Sequence, residues 1–182
     1  MRRIDIKKKT STSTIVVRAS PLDRRRAIVR CGPLCFQATL GRSGITSIKR
    51  EGDGATPRAS MTVLSGYRRG DRNGQIRTGL PLTRIRADML WCDAPTHASY
   101  NHPVRAPFAA SHEKLLRQDK LYDICLVLDW NLRARRLGCG SAIFFHVARP
   151  GYPPTEGCVA LSMRDFLTLA PHVRTGTRLK VL

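Results

Sequence analysis

Apolar residues in this chain come in short runs fenced by turn formers, and nowhere in the long amphipathic pattern that helices require. The segments TIVVRAS, AIVRCGPLCFQATLG, MTVL, LPLTRIRADMLWCD, YDICLVLDWN, GSAIFFHV and GTRLKVL are rich in β-branched and aromatic residues and bounded by Gly, Pro, Asp or Asn. That pattern predicts strands. Gly32-Pro33 marks a turn between two of them. In SMRDFLTLAPHV, Ser162 stands three residues before Asp165, an acidic variant of the capping box, which predicts a short helix ending before Pro171. The stretch from Ala94 to Asp123 reads as a long, mostly irregular connection with a turn of helix near HEKLLRQ. Many short strands against one or two short helices predict a mainly β domain, a sandwich or partly closed barrel.

The 182 residues fit one domain with a sizeable core. Residues 1–13, rich in Lys, Ser and Thr, are expected to form a flexible tail ahead of a domain over 14–182. Thirty-two Lys and Arg against 13 Asp and Glu give a net charge of +19, which favours an acidic or polyanionic partner without naming one. The basic residues are scattered rather than gathered in a tail, so a solvated basic surface is the plain reading. Six cysteines are too few for a disulfide scaffold at this length, and most are expected to be buried thiols. The N-terminus has a positive start but no apolar run of signal-peptide length, and no stretch of eighteen apolar residues predicts a membrane span. A monomer is the default expectation.

The chemistry concentrates in FFHVARPGYPPTEGCVALS. A thiolate is the reactive form of cysteine, and a thiol of pKa about 8.5 needs an imidazole or a helix N-terminus to favour it. Cys158 lies twelve residues after His146 and four before Ser162. Pro150, Pro153 and Pro154 stiffen the loop between them, Gly157 permits a tight turn, and backbone N–H groups there can form an oxyanion hole. Spacing alone does not establish that the two side chains meet; a core His and a buried Cys are an equal alternative.

HVARPGYPPTEGCVAL resembles the active-site signature of the L,D-transpeptidase (YkuD-like) catalytic domain, a His followed after a variable loop by Ser/Thr-His-Gly-Cys. Upstream, KREGDGATP resembles that family's Gly-Asp-x-x-Thr-Pro stretch, and WCDAPTHASYN, AASHEKL and GSAIFFHVARPG resemble a group of small single-domain proteobacterial members. The resemblance implies a β-sandwich or partly closed barrel and a cysteine acyltransferase acting on peptidoglycan stem peptides, with no cofactor. Cys158 would attack the carbonyl of an L-residue preceding a D-residue, His146 would be general base and then acid, and the Gly157 and Cys158 amides would hold the oxyanion. An amine from a second stem would resolve the thioester into a cross-link. A periplasmic location is implied as well.

The departures are as informative. Glu156 stands where the signature has its second His, and Ala160 where an Arg or Asn commonly follows the cysteine. A carboxylate beside the nucleophile disfavours the thiolate, so Glu156 is expected to point away, to pair with a cation such as Arg149, or to bind a substrate amine. Thr155 would orient the imidazole or cap the turn. Trp91, Asp93, Tyr100, Asn101, Ser111, His112 and Glu113 are candidates to line the substrate groove. Cys92, His97, His102 and His112 lack the tight spacing of a zinc site, and no metal is expected. Two rival functions remain: hydrolysis as an L,D-carboxypeptidase or amidase, and a basic nucleic-acid-binding module, for which no recognition motif is present.

Overall fold

The computed structural model describes residues 14–72 and 74–182; the expected tail lies outside the described residues. Fourteen strands are present among them: β1 (Thr14–Ala19), β2 (Arg26–Cys31), β3 (Leu34–Thr39), β4 (Ile45–Thr46), β5 (Thr56–Pro57), β6 (Ser60–Arg68), β7 (Leu82–Arg84), β8 (Met89–Cys92), β9 (His102–Arg105), β10 (His112–Lys114), β11 (Ile124–Leu128), β12 (Phe144–Val147), β13 (Val159–Leu161) and β14 (Arg178–Val181). One helix, α1 (Met163–Leu169), runs into a 3₁₀ turn at Ala170–His172.

The main sheet runs β11-β12-β13-β3-β2-β1-β14-β6, and β6 returns to pair with β11, closing eight strands into a barrel with β7 added along β6. The sandwich alternative therefore gives way to full closure, which removes the exposed edges an open sheet would carry. Strands β1, β2 and β14 alternate buried and exposed residues, so Ile15, Val17, Val29, Leu179 and Val181 fill the interior. Gly32, with φ +57°, makes the expected turn between β2 and β3.

Strands β11 and β12 are buried on both faces. Ile124, Leu126, Leu128, Phe145 and Val147 point into the barrel, whereas Cys125, Val127 and Phe144 join a second cluster with Ile85, Trp91, Leu115, Tyr122 and Cys158. That outer cluster exists because β8, β9 and β10 form a small antiparallel sheet, β10-β8-β9, whose Trp91 stands edge-on to Phe144 at 5.0 Å between ring centroids. The central connection is thus more regular than its sequence suggests. The helical turn expected near HEKLLRQ is instead strand β10, His112 pairing with Cys92 and Glu113 with Trp91. Pairing to the free edge of β8 and burial of Leu115 outweigh the weak helical preference of three or four residues.

Ser162 caps α1 as expected, its hydroxyl accepting from the Asp165 N–H at 3.1 Å. Phe166 and Leu169 close one end of the barrel core, Phe166 lying 5.0 Å from Phe145. Six cysteines are present and all are free: Cys31, Cys92, Cys125 and Cys158 buried, Cys139 half-buried and Cys35 exposed. Among the described residues no helix is long and apolar enough to cross a membrane. Truncating Phe145, which is fully buried against Phe166, to Ala should cost about 3–5 kcal/mol, measured as the shift in a urea unfolding curve at unchanged slope.

Candidate active site

The cleft opens between the barrel wall and the small outer sheet, with a volume of about 330 Å³, and is lined by Cys158, His146, Tyr122, Ala142 and the turn Thr155–Glu156 among others. Parallel pairing of β12 with β13 sets His146 beside Ala160. Cys158, two residues before Ala160, therefore falls on the same face as His146. The Pro-rich loop is zipped to the end of β3: the Thr155 N–H donates to Leu40 O and the Arg42 N–H to Thr155 O, each at 2.8 Å.

The turn before the cysteine is self-capped. The Thr155 hydroxyl donates to Cys158 O at 2.7 Å and accepts from the Gly157 N–H at 3.2 Å. Of its two expected roles, Thr155 takes the capping one. Gly157 has φ +133°, and a Cβ there would lie 2.8 Å from Ala55 O, so backbone conformation and space both demand glycine. Ala55 belongs to the GDGATP stretch, where Asp53 accepts from the Ala55 and Arg50 N–H groups and pairs with Lys49. Thr56 accepts from the Gly41 N–H at 2.9 Å and reaches Cys158 O at 3.5 Å. The two sequence motifs are back to back.

Both side chains are buried, Cys158 at 9% and His146 at 3% exposure. The thiol donates to Ala142 O at 3.2 Å and accepts from the Phe144 N–H at 3.3 Å. Desolvation pushes it up to about 12, with the Phe144 N–H opposing. Desolvation likewise brings His146 down to about 4. The resting pair is therefore neutral thiol and neutral imidazole at pH 7, not the ion pair that reactive cysteines commonly form. The His146 Nδ1 lies 2.9 Å from Val147 O; a carbonyl can only accept, so Nδ1 carries the proton and Nε2 is left as the base. Tyr122 stands edge-on to the imidazole at 5.4 Å and holds the ring plane.

A family model for the YkuD L,D-transpeptidase catalytic domain matches residues 2–181. The chain belongs to this family. Among curated proteins no sequence match is found. Similar solved structures are Bdellovibrio bacteriovorus Bd1075 (15% identity, 94% of this chain and 48% of that one, TM-score 0.48), an L,D-transpeptidase from Mycobacterium smegmatis (12%, 93% and 59%, TM-score 0.42) and L,D-transpeptidase 3 from Mycobacterium tuberculosis (15%, 93% and 61%, TM-score 0.42). The chain spans about half to three fifths of their lengths.

In this family member the remaining expected residues divide. Asp93, Glu113 and Glu156 line the cleft. Glu156 is 77% exposed at its side chain and pairs with a cation, as one of the expected alternatives has it, but with Arg42 at 2.9 Å rather than Arg149, which pairs with Asp119 at 2.8 Å. Trp91, Tyr100 and Asn101 are buried beneath the cleft rather than on its wall. Asn101 accepts from Trp91 Nε1 and from the Ala142 N–H and donates to Trp130 O, so it places the carbonyl that accepts from the thiol. Tyr100 donates to Glu51. Ser111 is exposed and contributes its carbonyl to the Asp93 N–H. His112 Nδ1 contacts Ala110 O, and its ring and that of His97 flank Phe108. No group of three or more His, Cys, Asp or Glu side chains that could hold a metal is present among the described residues.

Sequence reading missed Glu51, Arg117, Tyr122, Ser141 and Ala142, all of which line the cleft. Arg117 grips Asp119 through Nε and Nη2, pairs with Glu113 and stacks over Tyr122 at 5.2 Å. The alternation of charge in HEKLLRQDK was the only hint of it. Two polar atoms on the wall, Asp93 Oδ1 and Ser141 Oγ, are buried without a bond of hydrogen-bond geometry.

The depressed His146 pKa has a measurable sign. Between pH 6.5 and about 4 the unfolded chain binds a proton the folded chain refuses, so stability present above 6.5 is lost as pH falls through that window, by on the order of 3 kcal/mol. His146→Gln should flatten that part of the profile when unfolding free energy is measured against pH. Thr155→Val removes both bonds of the turn cap and should lower stability by about 1–3 kcal/mol, read from chemical denaturation.

Proposed function

We propose that this protein is a cysteine-dependent L,D-transpeptidase of peptidoglycan, with Cys158 as nucleophile and His146 as general base. The observation that carries the reading is the placement of the Cys158 thiol and an imidazole with its Nδ1 pinned to Val147 O on one face of one cleft. In the resting cleft the thiol S–H donates to Ala142 O. As a stem peptide enters, Nε2 takes that proton and sulfur attacks the carbonyl of the L-residue. The Cys158 and Gly157 N–H groups serve the oxyanion, Gly157 exchanging its 3.2 Å bond to Thr155 for a charge-assisted one. The imidazolium then gives its proton to the departing amine of the D-residue as the C–N bond breaks. An acceptor amine attacks the thioester, Nε2 receives its proton, and the thiol is restored.

The charge pattern of the cleft fits such a substrate. Arg117 and Arg149 stand on the wall with Glu51, Asp93, Glu113 and Glu156, matching a diamino acid that carries both ammonium and carboxylate. A bound peptide supplies a partner for Asp93 Oδ1, whose burial unpaired is costly. The absence of the usual second His, replaced by Glu156, and of the residue usual after the cysteine, replaced by Ala160, favours a donor held differently from the common tetrapeptide case. Cysteine chemistry is indifferent to which L-residue it attacks, so pocket contacts decide. We assign cross-links from the first residue of one stem to the third of another, beside or in place of 3–3 links. Trimmed monomers alone would instead identify a hydrolase. A periplasmic location is part of the proposal, and family membership supports it.

Cys158→Ala should abolish turnover of muropeptides while the fold persists, with products analysed by tandem mass spectrometry; full turnover by the variant overturns the assignment. In the same assay, dimers joined only 3–3 refute the linkage while leaving the nucleophile intact. Glu156→Gln should leave alkylation of Cys158 by iodoacetamide unchanged or faster, since the carboxylate raises the thiol pKa; a slower rate would contradict the electrostatics of the cleft.

A further inference from the structure

The outer face of strands β2, β1 and β14 uses side chains that neither the barrel nor the cleft needs. Alternation puts Arg26, Ile28 and Arg30 of β2, Arg18 of β1, and Arg178 and Lys180 of β14 on the outside. Register makes them one patch: Arg18 is opposite Ile28, while Val16 lies between Arg30 and Lys180. Strands β1, β2, β3, β6 and β14 contain no Asp or Glu. Arg18, Arg30, Arg178 and Lys180 form no ion pair among the described residues. Like charges held together without counter-charges cost stability in isolation and are relieved by an anionic partner.

A second observation decides what kind of anion. The β1–β2 turn, Ser20–Arg25, carries Leu22 at 95% exposure; Asp23 follows it and pairs with Arg25 at 3.0 Å, which leaves Arg24 and Arg26 as the excess positive charge beside the leucine. Ile28, at 44% exposure, continues the apolar element among the cations. Phosphates of a nucleic-acid duplex or carboxylates of a wall polymer offer such a leucine nothing, whereas a bilayer offers an acyl boundary directly beneath a layer of phosphates. We propose that this face is a docking surface for an anionic phospholipid bilayer, with Leu22 entering the headgroup–acyl boundary and the cations lying among lipid phosphates. The face adjoins the catalytic loop: Arg26 donates to Gly151 O at 2.9 Å and lies over the Tyr152 ring at 5.4 Å. Docking there sets the Cys158 loop beside the membrane. The inference does not depend on the chemistry assigned to the cleft.

The test is co-sedimentation of the full chain with vesicles of phosphatidylcholine containing phosphatidylglycerol, against pure phosphatidylcholine and against duplex DNA. Combined Arg18→Gln, Arg30→Gln, Arg178→Gln and Lys180→Gln should lower partition onto the anionic vesicles by more than about a hundredfold, since each cation contributes roughly fivefold. The same change in charge made at Arg84, Lys114, Arg133 and Arg136, exposed on β7, β10 and the β11–β12 loop, should leave most of the binding in place. Leu22→Ser should lower it roughly fivefold and leave DNA binding unaltered. Absence of vesicle binding, equal losses from both sets of four, an unchanged Leu22→Ser variant, or a loss confined to DNA would each overturn the proposal. Thermal unfolding of every variant, together with its far-ultraviolet circular dichroism, separates lost binding from lost fold.

Discussion

Everything distinctive in this molecule depends on strands β11 and β12 being covered on both faces. Inside the barrel Leu126 and Phe145 meet the helix and the opposite strands; outside, Val127 and Phe144 meet Trp91 and Tyr122 from the covering segments. A barrel strand ordinarily alternates apolar and polar residues. Here the alternation is lost because the outer face is not solvent but a second core. Cys158 packs in that second core, and His146 lies on the same outer side at its mouth, which explains how two polar groups come to be dehydrated without being enclosed.

Dehydration sets the chemistry. In water an imidazole of pKa about 6.5 beside a thiol of about 8.5 already leaves the ion pair a minor form, on the order of one part in a hundred. Burial removes that option because two isolated charges in a poorly solvated cleft cost more than the pair returns unless each is otherwise hydrogen-bonded. The thiol keeps its proton, donating it to Ala142 O in a hydrogen bond, and the imidazole keeps Nε2 bare. Asn101 fixes this arrangement, since its Oδ1 accepts from the Ala142 N–H and so holds the residue whose carbonyl meets the thiol.

The cysteine turn illustrates how local and distant constraints combine. Gly157 looks like an ordinary turn glycine in sequence, yet its replacement is blocked by Ala55 O, a residue about a hundred positions earlier. Thr56 and Thr155 approach the same carbonyl, Cys158 O, from two segments. The Gly-Asp-x-x-Thr-Pro stretch therefore acts as the back plate of the cysteine turn, its own shape held by Asp53 and Lys49. Glu156, at the exposed rim of the cleft, pairs with Arg42.

By itself the sequence determined the β character, the turn at Gly32, the Ser162 cap and the family, because each rests on local residue chemistry or on a contiguous motif. Candidate residues with rare chemistry, Cys158 and His146, were legible for the same reason. What it left open was decided by strand pairing across the chain. Closure of the barrel needed β6 to meet β11, and β10 became a strand only because β8 offered an edge. Trp91, Tyr100 and Asn101 were legible as important but not as buried, since an aromatic or amide in a loop reads alike whether it faces substrate or supports the wall. Ala142 and Tyr122 were not legible at all, and Arg117 only through the alternating charge of HEKLLRQDK. Their roles are a backbone carbonyl, a ring edge and an ion pair, which any residue of the type can supply, and only the tertiary fold says which one does.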